Sequence, residues 1–364
     1  MVWRPGATDD EREAEQLMAW KAGASFVHAA DPSTVVVEAW DDEIPQPTRA
    51  DDFAAGVRRT RAMIGPGTLR LLNLFVFAAA VLGALAGAAV AWMHVMNDPL
   101  ADAHAYFEAS ARLNAGQALY PVTADPNGNE IYLYPPLLAI VLWPLALLGF
   151  PVFAAAWEGI VILSFVLLLR YLGVRSRRTW LAIGLLGIPI GWALSVAQAH
   201  VPFTYLLAIG QPWSVAIAAN LKITPVLIAI WWLGRRDYES FFAFLVWMVL
   251  LALAQVVLET RGSFAFFTSV GVDQLGEVRN WSPFVQSPVL WMVLLLVGCL
   301  VVLALARTKW GWPAAVTLVT FSPPRLLVYM FMGLIAGIRQ PKQAGEADPD
   351  APADIATVYR RSVQ

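Results

Sequence analysis

The chain has 364 residues, of which 58% are hydrophobic and only 14% charged, against about 25% charged in an ordinary soluble domain. So much apolar surface cannot be hidden in one water-soluble core, and the bilayer is its natural solvent. A net charge of −2 lacks the basic footprint of a nucleic-acid binder, and the single cysteine, Cys299, excludes an internal disulfide and a cysteine-based metal site.

Residues 1–66 are rich in Asp, Glu and Arg and contain several prolines. They read as a mostly disordered acidic tail, with a short helix over 9–22. Residues 71–96 are long enough to cross a hydrocarbon core of about 30 Å. This first apolar stretch follows a polar tail and reads as a retained anchor rather than a signal peptide. Residues 97–132 are polar and aromatic. Within them Asp98 and Asp102, Asp102 and Tyr106, and His104 and Glu108 are each four apart, so 100–115 reads as an amphipathic helix at an interface. Glu108, Asp125 and Glu130 read as solvated loop charges.

Residues 133–150 are apolar but broken by Pro135, Pro136 and Pro144, and 153–173 follow directly. Basic residues favour the cytoplasmic side. Arg58, Arg59, Arg61 and Arg70 place the start of the first span inside, and Arg175, Arg177 and Arg178 are inside as well. The stretches 133–150 and 153–173 therefore cannot both cross, and the proline-broken one is demoted to the outer leaflet. Residues 97–150 become one extracytoplasmic element. Further spans are expected at 180–196, 241–258, 288–306, 312–321 and 326–338, with Arg235–Arg236, Arg307, Lys309, Arg339 and Lys342 inside. Residues 201–234 are too few for three crossings and contain Gly210, Pro212 and Pro225, so short broken helices packed inside the bundle are expected there. The expectation is an all-α polytopic bundle of eight to ten transmembrane helices over 67–340, with a cytoplasmic tail at 341–364 and both termini inside.

Polar groups at membrane depth are costly and become functional candidates. Lys222 lies in the apolar run Ala-Asn-Leu-Lys-Ile-Thr-Pro and needs an anionic partner, either a phosphate or a protein carboxylate. Asn220 and Thr224 flank it as hydrogen-bonding groups. Arg325, after Pro323-Pro324, suits a bidentate grip on phosphate, or interfacial snorkelling. Glu158 fits snorkelling or the start of a span as well as it fits function.

The segments Asp102-Ala-His-Ala-Tyr106, Asn114-Ala-Gly-Gln-Ala-Leu-Tyr120, Tyr134-Pro-Pro-Leu137 with Pro144-Leu-Ala146, Ala197-Gln-Ala-His200, Leu221-Lys-Ile-Thr-Pro225 and Ser322-Pro-Pro-Arg-Leu-Leu-Val-Tyr329 together resemble glycosyltransferase family 87, over residues 71–340. Ala197 stands where the family pattern has glycine. The resemblance implies a GT-C fold in the plasma membrane, serving the cell envelope, with its active site extracytoplasmic. It implies an inverting transferase that moves mannose or arabinofuranose from a polyprenyl-phosphate donor to a lipid or glycan acceptor among membrane lipids. No cofactor is expected, and no cluster in the sequence demands a metal. By the same resemblance Asp102 is the general base and Lys222 and Arg325 hold the donor phosphate. Tyr106, His104, Tyr134, Gln198 and His200 then contact substrate. A catalytically degenerate scaffold with the same fold and a transporter of lipid-linked sugars are the alternatives.

Overall fold

The computed structural model describes residues 25–31, 34–38, 66–120, 132–269 and 279–341. The chain divides into two compact units, residues 1–69 and 70–364. In the first, β1 (Ser25–Asp31) and β2 (Thr34–Glu38) pair antiparallel, with Ser25 opposite Glu38 and Asp31 opposite Thr34. This departs from the unstructured tail expected over these residues. The run Thr34-Val-Val-Val is β-branched and favours extended backbone, a signal that the acidic composition masks. The helix expected over 9–22, the loop charges Asp125 and Glu130, and the tail beyond 341 lie outside the described residues.

The described part of the second unit is all helical. Four helices are long and apolar enough to cross a membrane: α1 (Pro66–Asn97), α4 (Phe150–Leu172), α10 (Tyr238–Leu258) and α12 (Pro288–Leu305). The 32 residues of α1 reach roughly 48 Å at about 1.5 Å each, so it extends past the hydrocarbon core. Most of the side chains of α1, α10 and α12 face outward, as lipid requires. Caps set the starts of two of them. Asp237 accepts from the Ser240 N–H at 3.1 Å, and Ser287 accepts from the Leu290 N–H at 3.2 Å.

Between these, proline and glycine cut the chain into short pieces. Helix α2 (Ala101–Asn114) matches the expected amphipathic helix, and α3 (Pro136–Ala146) is too short to span, as the prolines imply. Residues expected as one straight span form α5 (Arg177–Leu185) and α6 (Gly187–Ser195), bent by 72°. Pro189 cannot donate to residue 185, which breaks the ladder there. Then come α7 (His200–Ile209), α8 (Pro212–Leu221), a 3-10 turn (Thr224–Leu227) and α9 (Ile228–Arg235). Helices α11 (Thr260–Ser269) and α13 (Gly311–Phe321), a 3-10 turn (Pro283–Val285) and a 3-10 helix (Val328–Ile338) complete the described part of the unit. Of the eight to ten crossings expected, four are therefore long enough among the described helices, or five if α5 and α6 make one broken span. Of the remaining short helices α7 and α8 are mostly buried in protein, where irregular backbone is tolerated at membrane depth.

The 3-10 helix has an unusual length for its type. Its 11 residues cover about 22 Å at roughly 2.0 Å per residue, against about 16 Å as an α-helix. Two of its carbonyls are taken by buried side chains: Trp312 Nε1 donates to Ala336 O at 2.9 Å and His200 Nε2 to Met330 O at 3.0 Å.

Two local features position the site. The first is a glycine contact between α1 and the bent pair. A Cβ added to Gly83 would lie 2.3 Å from Gly184 O, and one added to Gly87 would lie 2.2 Å from Gly187 O. Gly191 meets Gly87 in the same way. Small residues spaced four apart allow this backbone approach. The second is the link between α6 and α7. Ala197 is buried and adopts φ 56°, in the left-handed region, while its carbonyl accepts from Trp157 Nε1 at 2.7 Å. The position that is glycine in the family pattern thus keeps a glycine-like backbone with a methyl group on it, at a cost of about 1–2 kcal/mol.

Gly87→Leu is expected to lower the thermal midpoint of the purified full chain in detergent by several degrees. Gly159→Leu, where nothing lies within 4 Å of an added Cβ, should leave it nearly unchanged. At Ala197, relief of the left-handed strain offsets the lost methyl. Ala197→Gly should change stability by less than about 1 kcal/mol, whereas Ala193→Gly, buried inside α6, should cost more than that. Denaturant titration of the two variants compares them directly.

Candidate active site

A cavity of about 840 Å³ opens where α1, α2, α6, α8 and the segments around Tyr134, Arg279 and Arg325 meet. Asp102 lies on its wall, in the first turn of α2. A helix start leaves N–H groups without intrahelical partners. Here the end of α6 supplies them: Leu100 N–H donates to Ser195 O at 3.4 Å and Asp102 N–H to Val196 O at 3.1 Å. The carboxylate is thereby fixed to the backbone of another helix.

Gln198 then fixes the side chain. Its Nε2 donates to Asp102 Oδ2 at 3.0 Å, and its Oε1 accepts from Tyr106 at 2.7 Å and from the Tyr134 hydroxyl. An ionised carboxylate only accepts, and this sets the amide orientation with the NH₂ facing Asp102. The Tyr106 oxygen also accepts from the Ala199 N–H at 3.1 Å. Burial holds the Tyr106 and Tyr134 phenols well above their usual range, so both stay neutral donors.

The Tyr-Pro-Pro corner is held by its own neighbours. Tyr120 donates to Tyr134 O at 2.7 Å and Tyr132 donates to Pro135 O at 2.8 Å. Gln255 of α10 accepts from the Leu137 N–H at 3.0 Å and donates to Asn220 Oδ1 at 2.6 Å. Asn220 in turn donates to Ala216 O at 2.8 Å. This chain ties the start of α3 to the last turn of α8, and Lys222 caps that turn. Lys222 Nζ lies 3.5 Å from the Tyr329 hydroxyl, over the Tyr329 ring at 4.7 Å and the Tyr134 ring at 5.5 Å. Two aromatic faces help to hold an ammonium in a partly desolvated place.

Arg325 is presented by a clamp that carries no motif. Asn280 Nδ2 donates to Pro324 O at 3.0 Å, and Asn280 Oδ1 accepts from Leu326 N–H at 2.8 Å and Ser282 N–H at 2.9 Å. Trp281 N–H adds a bond to Leu326 O at 2.8 Å, and Trp291 Nε1 one to Ser322 O at 3.0 Å. Asp102 lies outside the spanning helices. Burial pushes its pKa up to about 7, opposed by Lys222, Arg325 and the Gln198 hydrogen bond and reinforced by Asp98.

Of the residues singled out from the sequence, Asp102, Lys222, Arg325 and Tyr134 share the cavity wall. Tyr106 and Gln198 are buried one layer behind and act through hydrogen bonds. Two more of the expected residues lie off the cavity wall. His104 stacks on Phe150 with centroids 3.7 Å apart rather than facing the cavity, because two residues along a helix is more than half a turn from Asp102. His200 is buried behind Met330, with its ring on Phe203 at 4.5 Å, and serves the 3-10 helix. The sequence reading missed His94, Asp98, Trp192, Arg279 and Trp281 on the cavity wall. Asp98 had a signal, its spacing from Asp102. The others look like ordinary interfacial residues. Among the described residues no three His, Cys, Asp or Glu side chains group as a metal site.

The family model of glycosyltransferase family 87 matches residues 132–335. That stretch holds Tyr134, Gln198, Lys222 and Arg325, while Asp102 precedes it. Two curated relatives are named polyprenol-phosphate-mannose-dependent alpha-(1-2)-phosphatidylinositol pentamannoside mannosyltransferase. The one from Mycolicibacterium smegmatis is 30% identical over 174 residues, 42% of either chain. The one from Mycobacterium tuberculosis is 25% identical over 229 residues, 55% of this chain and 51% of the relative. The chain thus spans about half the length of the curated relatives it matches. No solved structure matches. With the family model covering more than half of its residues, this multi-pass membrane chain belongs to glycosyltransferase family 87.

Proposed function

We propose that the chain transfers a sugar of the mannose type from a polyprenyl-phosphate donor to a lipid- or glycan-linked acceptor, with inversion, on the extracytoplasmic face. The observation that carries this reading is the placement of Asp102, Lys222 and Arg325 on one cavity, close enough for the two cations to act on the carboxylate. The names of the two relatives support a phosphate-linked mannose donor and a phosphatidylinositol-linked acceptor. Charge supports the sidedness. Arg70 stands near the start of α1, Arg235 ends α9, and Arg307 and Lys309 follow α12, while the opposite ends of α1, α10 and α12 approach the cavity side. Basic ends favour the cytoplasm, which supports a cavity and a 97–150 loop outside and both termini inside.

In the proposed step Oδ1 of Asp102 takes the proton of an acceptor hydroxyl as that oxygen attacks the anomeric carbon. The bond from that carbon to the phosphate oxygen breaks, and the electron pair leaves with the lipid phosphate. Lys222 and Arg325 meet the charge that develops on the leaving oxygen. Phosphate leaves without being protonated, so one carboxylate suffices. Gln198 keeps Oδ2 occupied, which leaves Oδ1 for the acceptor hydroxyl. A carboxyl with a pKa near 7 is a stronger base than an ordinary one while still largely ionised just above neutrality.

Asp102→Asn should reduce transfer from a polyprenyl-phosphate mannose by about 10²- to 10⁴-fold, with the thermal midpoint unchanged. Full activity in this variant would remove Asp102 as the base. The base must be deprotonated, so kcat/KM should be flat above about pH 7 and fall toward tenfold per pH unit below it. Arg325→Gln removes a cation that favours the charged carboxylate, so the acid limb should move to higher pH. A limb that stayed in place or moved to lower pH would contradict the assignment.

A further inference from the structure

Helix α10 is one of the helices apolar enough to cross a membrane, and most of it faces outward. Its buried residues are Phe244 and Gln255. A buried amide in an apolar span is costly unless its hydrogen bonds are made. Here they are made on both sides. The Gln255 oxygen accepts from Leu137 N–H at 3.0 Å, and its NH₂ donates to Asn220 Oδ1 at 2.6 Å and to Leu251 O at 3.1 Å. A backbone N–H only donates and a backbone carbonyl only accepts, so the amide has one orientation. Leu137 is the second residue of α3, in the first turn, where no intrahelical carbonyl reaches its N–H. Pro135, before the helix, offers no side-chain cap. At the other end of the bridge, Asn220 lies in the last turn of α8, two residues before Lys222. The same two elements meet again at the cavity. Lys222 Nζ lies 5.5 Å from the centre of the Tyr134 ring, and the Tyr134 hydroxyl donates to Gln198, which holds Asp102.

We propose that Gln255 is a positioning residue, which holds Lys222, the cation assigned to the donor phosphate, at a fixed distance from the base Asp102. This rests on the transferase reading above and adds what sets the spacing of the two groups. Gln198 ties the Tyr-Pro-Pro corner to the base. Gln255 ties the same corner to the helix that ends at the lysine. Inverting displacement puts the attacking oxygen and the leaving phosphate on opposite sides of one carbon, so the base and the cation must stand a set distance apart. A misplacement of about 1 Å can cost about 10²-fold in rate. A lysine side chain is a flexible four-carbon stem and sets no distance by itself. The backbone that carries it must do so, and α8 is tied to the Tyr-Pro-Pro corner through Asn220 and Gln255.

The test uses the purified full chain with a polyprenyl-phosphate mannose as donor and a phosphatidylinositol-linked mannoside as acceptor. Gln255→Met keeps the length of the side chain and removes the bridge. It should lower kcat/KM for the donor by about ten- to hundredfold and leave the acceptor KM unchanged. Lys222 favours the charged form of Asp102, so its drift should move the acid limb of the pH profile to higher pH. Arg325 and Asp98, which also act on Asp102, are left in place. Asn220→Leu breaks the bridge at its other end and should do the same, and the double variant should be no worse than the worse single one. Phe244→Leu is the control for helix docking. Phe244 packs on Trp232, about 16 Å along α10 from Gln255, and its loss should lower the thermal midpoint without changing either kinetic readout. Effects that multiply in the double variant, an acid limb that stays in place, or the same kinetic losses in Phe244→Leu overturn the proposal. Affinity for geranyl phosphate, a lipid phosphate without a sugar, is a readout that needs no turnover. It should weaken by about three- to tenfold in Gln255→Met, and equal affinity in the two proteins, or none in either, overturns the bridge. If the unaltered chain transfers from no polyprenyl-phosphate sugar, the transferase reading fails, and geranyl phosphate binding alone decides the bridge.

Discussion

One side-chain amide ties together the parts of the site that the chain supplies from far apart. Gln198 donates to Asp102 and accepts from Tyr106 and Tyr134, so the amphipathic helix, the Tyr-Pro-Pro corner and the link between α6 and α7 share one oriented group. A hydrogen-bond network of this kind has a single low-energy arrangement, because reversing the amide would aim its carbonyl at a carboxylate and its NH₂ at two hydroxyls. In a low-dielectric interior such a mismatch costs far more than in water. The left-handed backbone at Ala197 and the Trp157 bond to its carbonyl serve to aim this one amide.

Around that group the membrane chain is cut short on purpose. A straight helix satisfies its own backbone and leaves nothing to offer a substrate. The start of α2 and the turn before Arg325 expose N–H and carbonyl groups, and these find partners in neighbouring elements. The end of α6 satisfies the start of α2, and Asn280 satisfies the turn at Pro324–Leu326. Four long helices are apolar enough to cross a membrane, and the end of α1 together with short helices and the loops between them builds the cavity.

Much of this was legible in the sequence for simple reasons. Long apolar runs with basic ends announce spans, and Pro135, Pro136 and Pro144 correctly argued against a span at 133–150. A lone lysine in an apolar run, Lys222, pointed to the cavity because charge at that depth demands a partner. Helix spacing put Asp102 and Tyr106 on one face, and the same spacing argued against His104 had it been applied to the pair. The bend at Leu186–Gly187 was hidden because 180–196 has the hydropathy of a continuous span, and only Pro189 and the glycines speak against it. Asn280 was hidden for another reason. Its role depends on what lies opposite it in space, and composition and spacing carry no record of that.

The electrostatics of Asp102 join the site to its proposed substrate. Burial alone would leave the carboxyl protonated, and the cations Lys222 and Arg325 pull it back toward the charged form. Those are the same cations assigned to the donor phosphate. A phosphate bound between them spends part of their field on itself, so less remains to favour the carboxylate. On the proposed reading the carboxylate is therefore a weaker base in the empty cavity and a stronger one once donor is bound, at the cost of a smaller ionised fraction near neutral pH. Desolvation by the arriving lipid and sugars acts in the same direction. The basicity that the reaction needs is then supplied by the donor itself, at the moment an anomeric carbon is in place to be attacked.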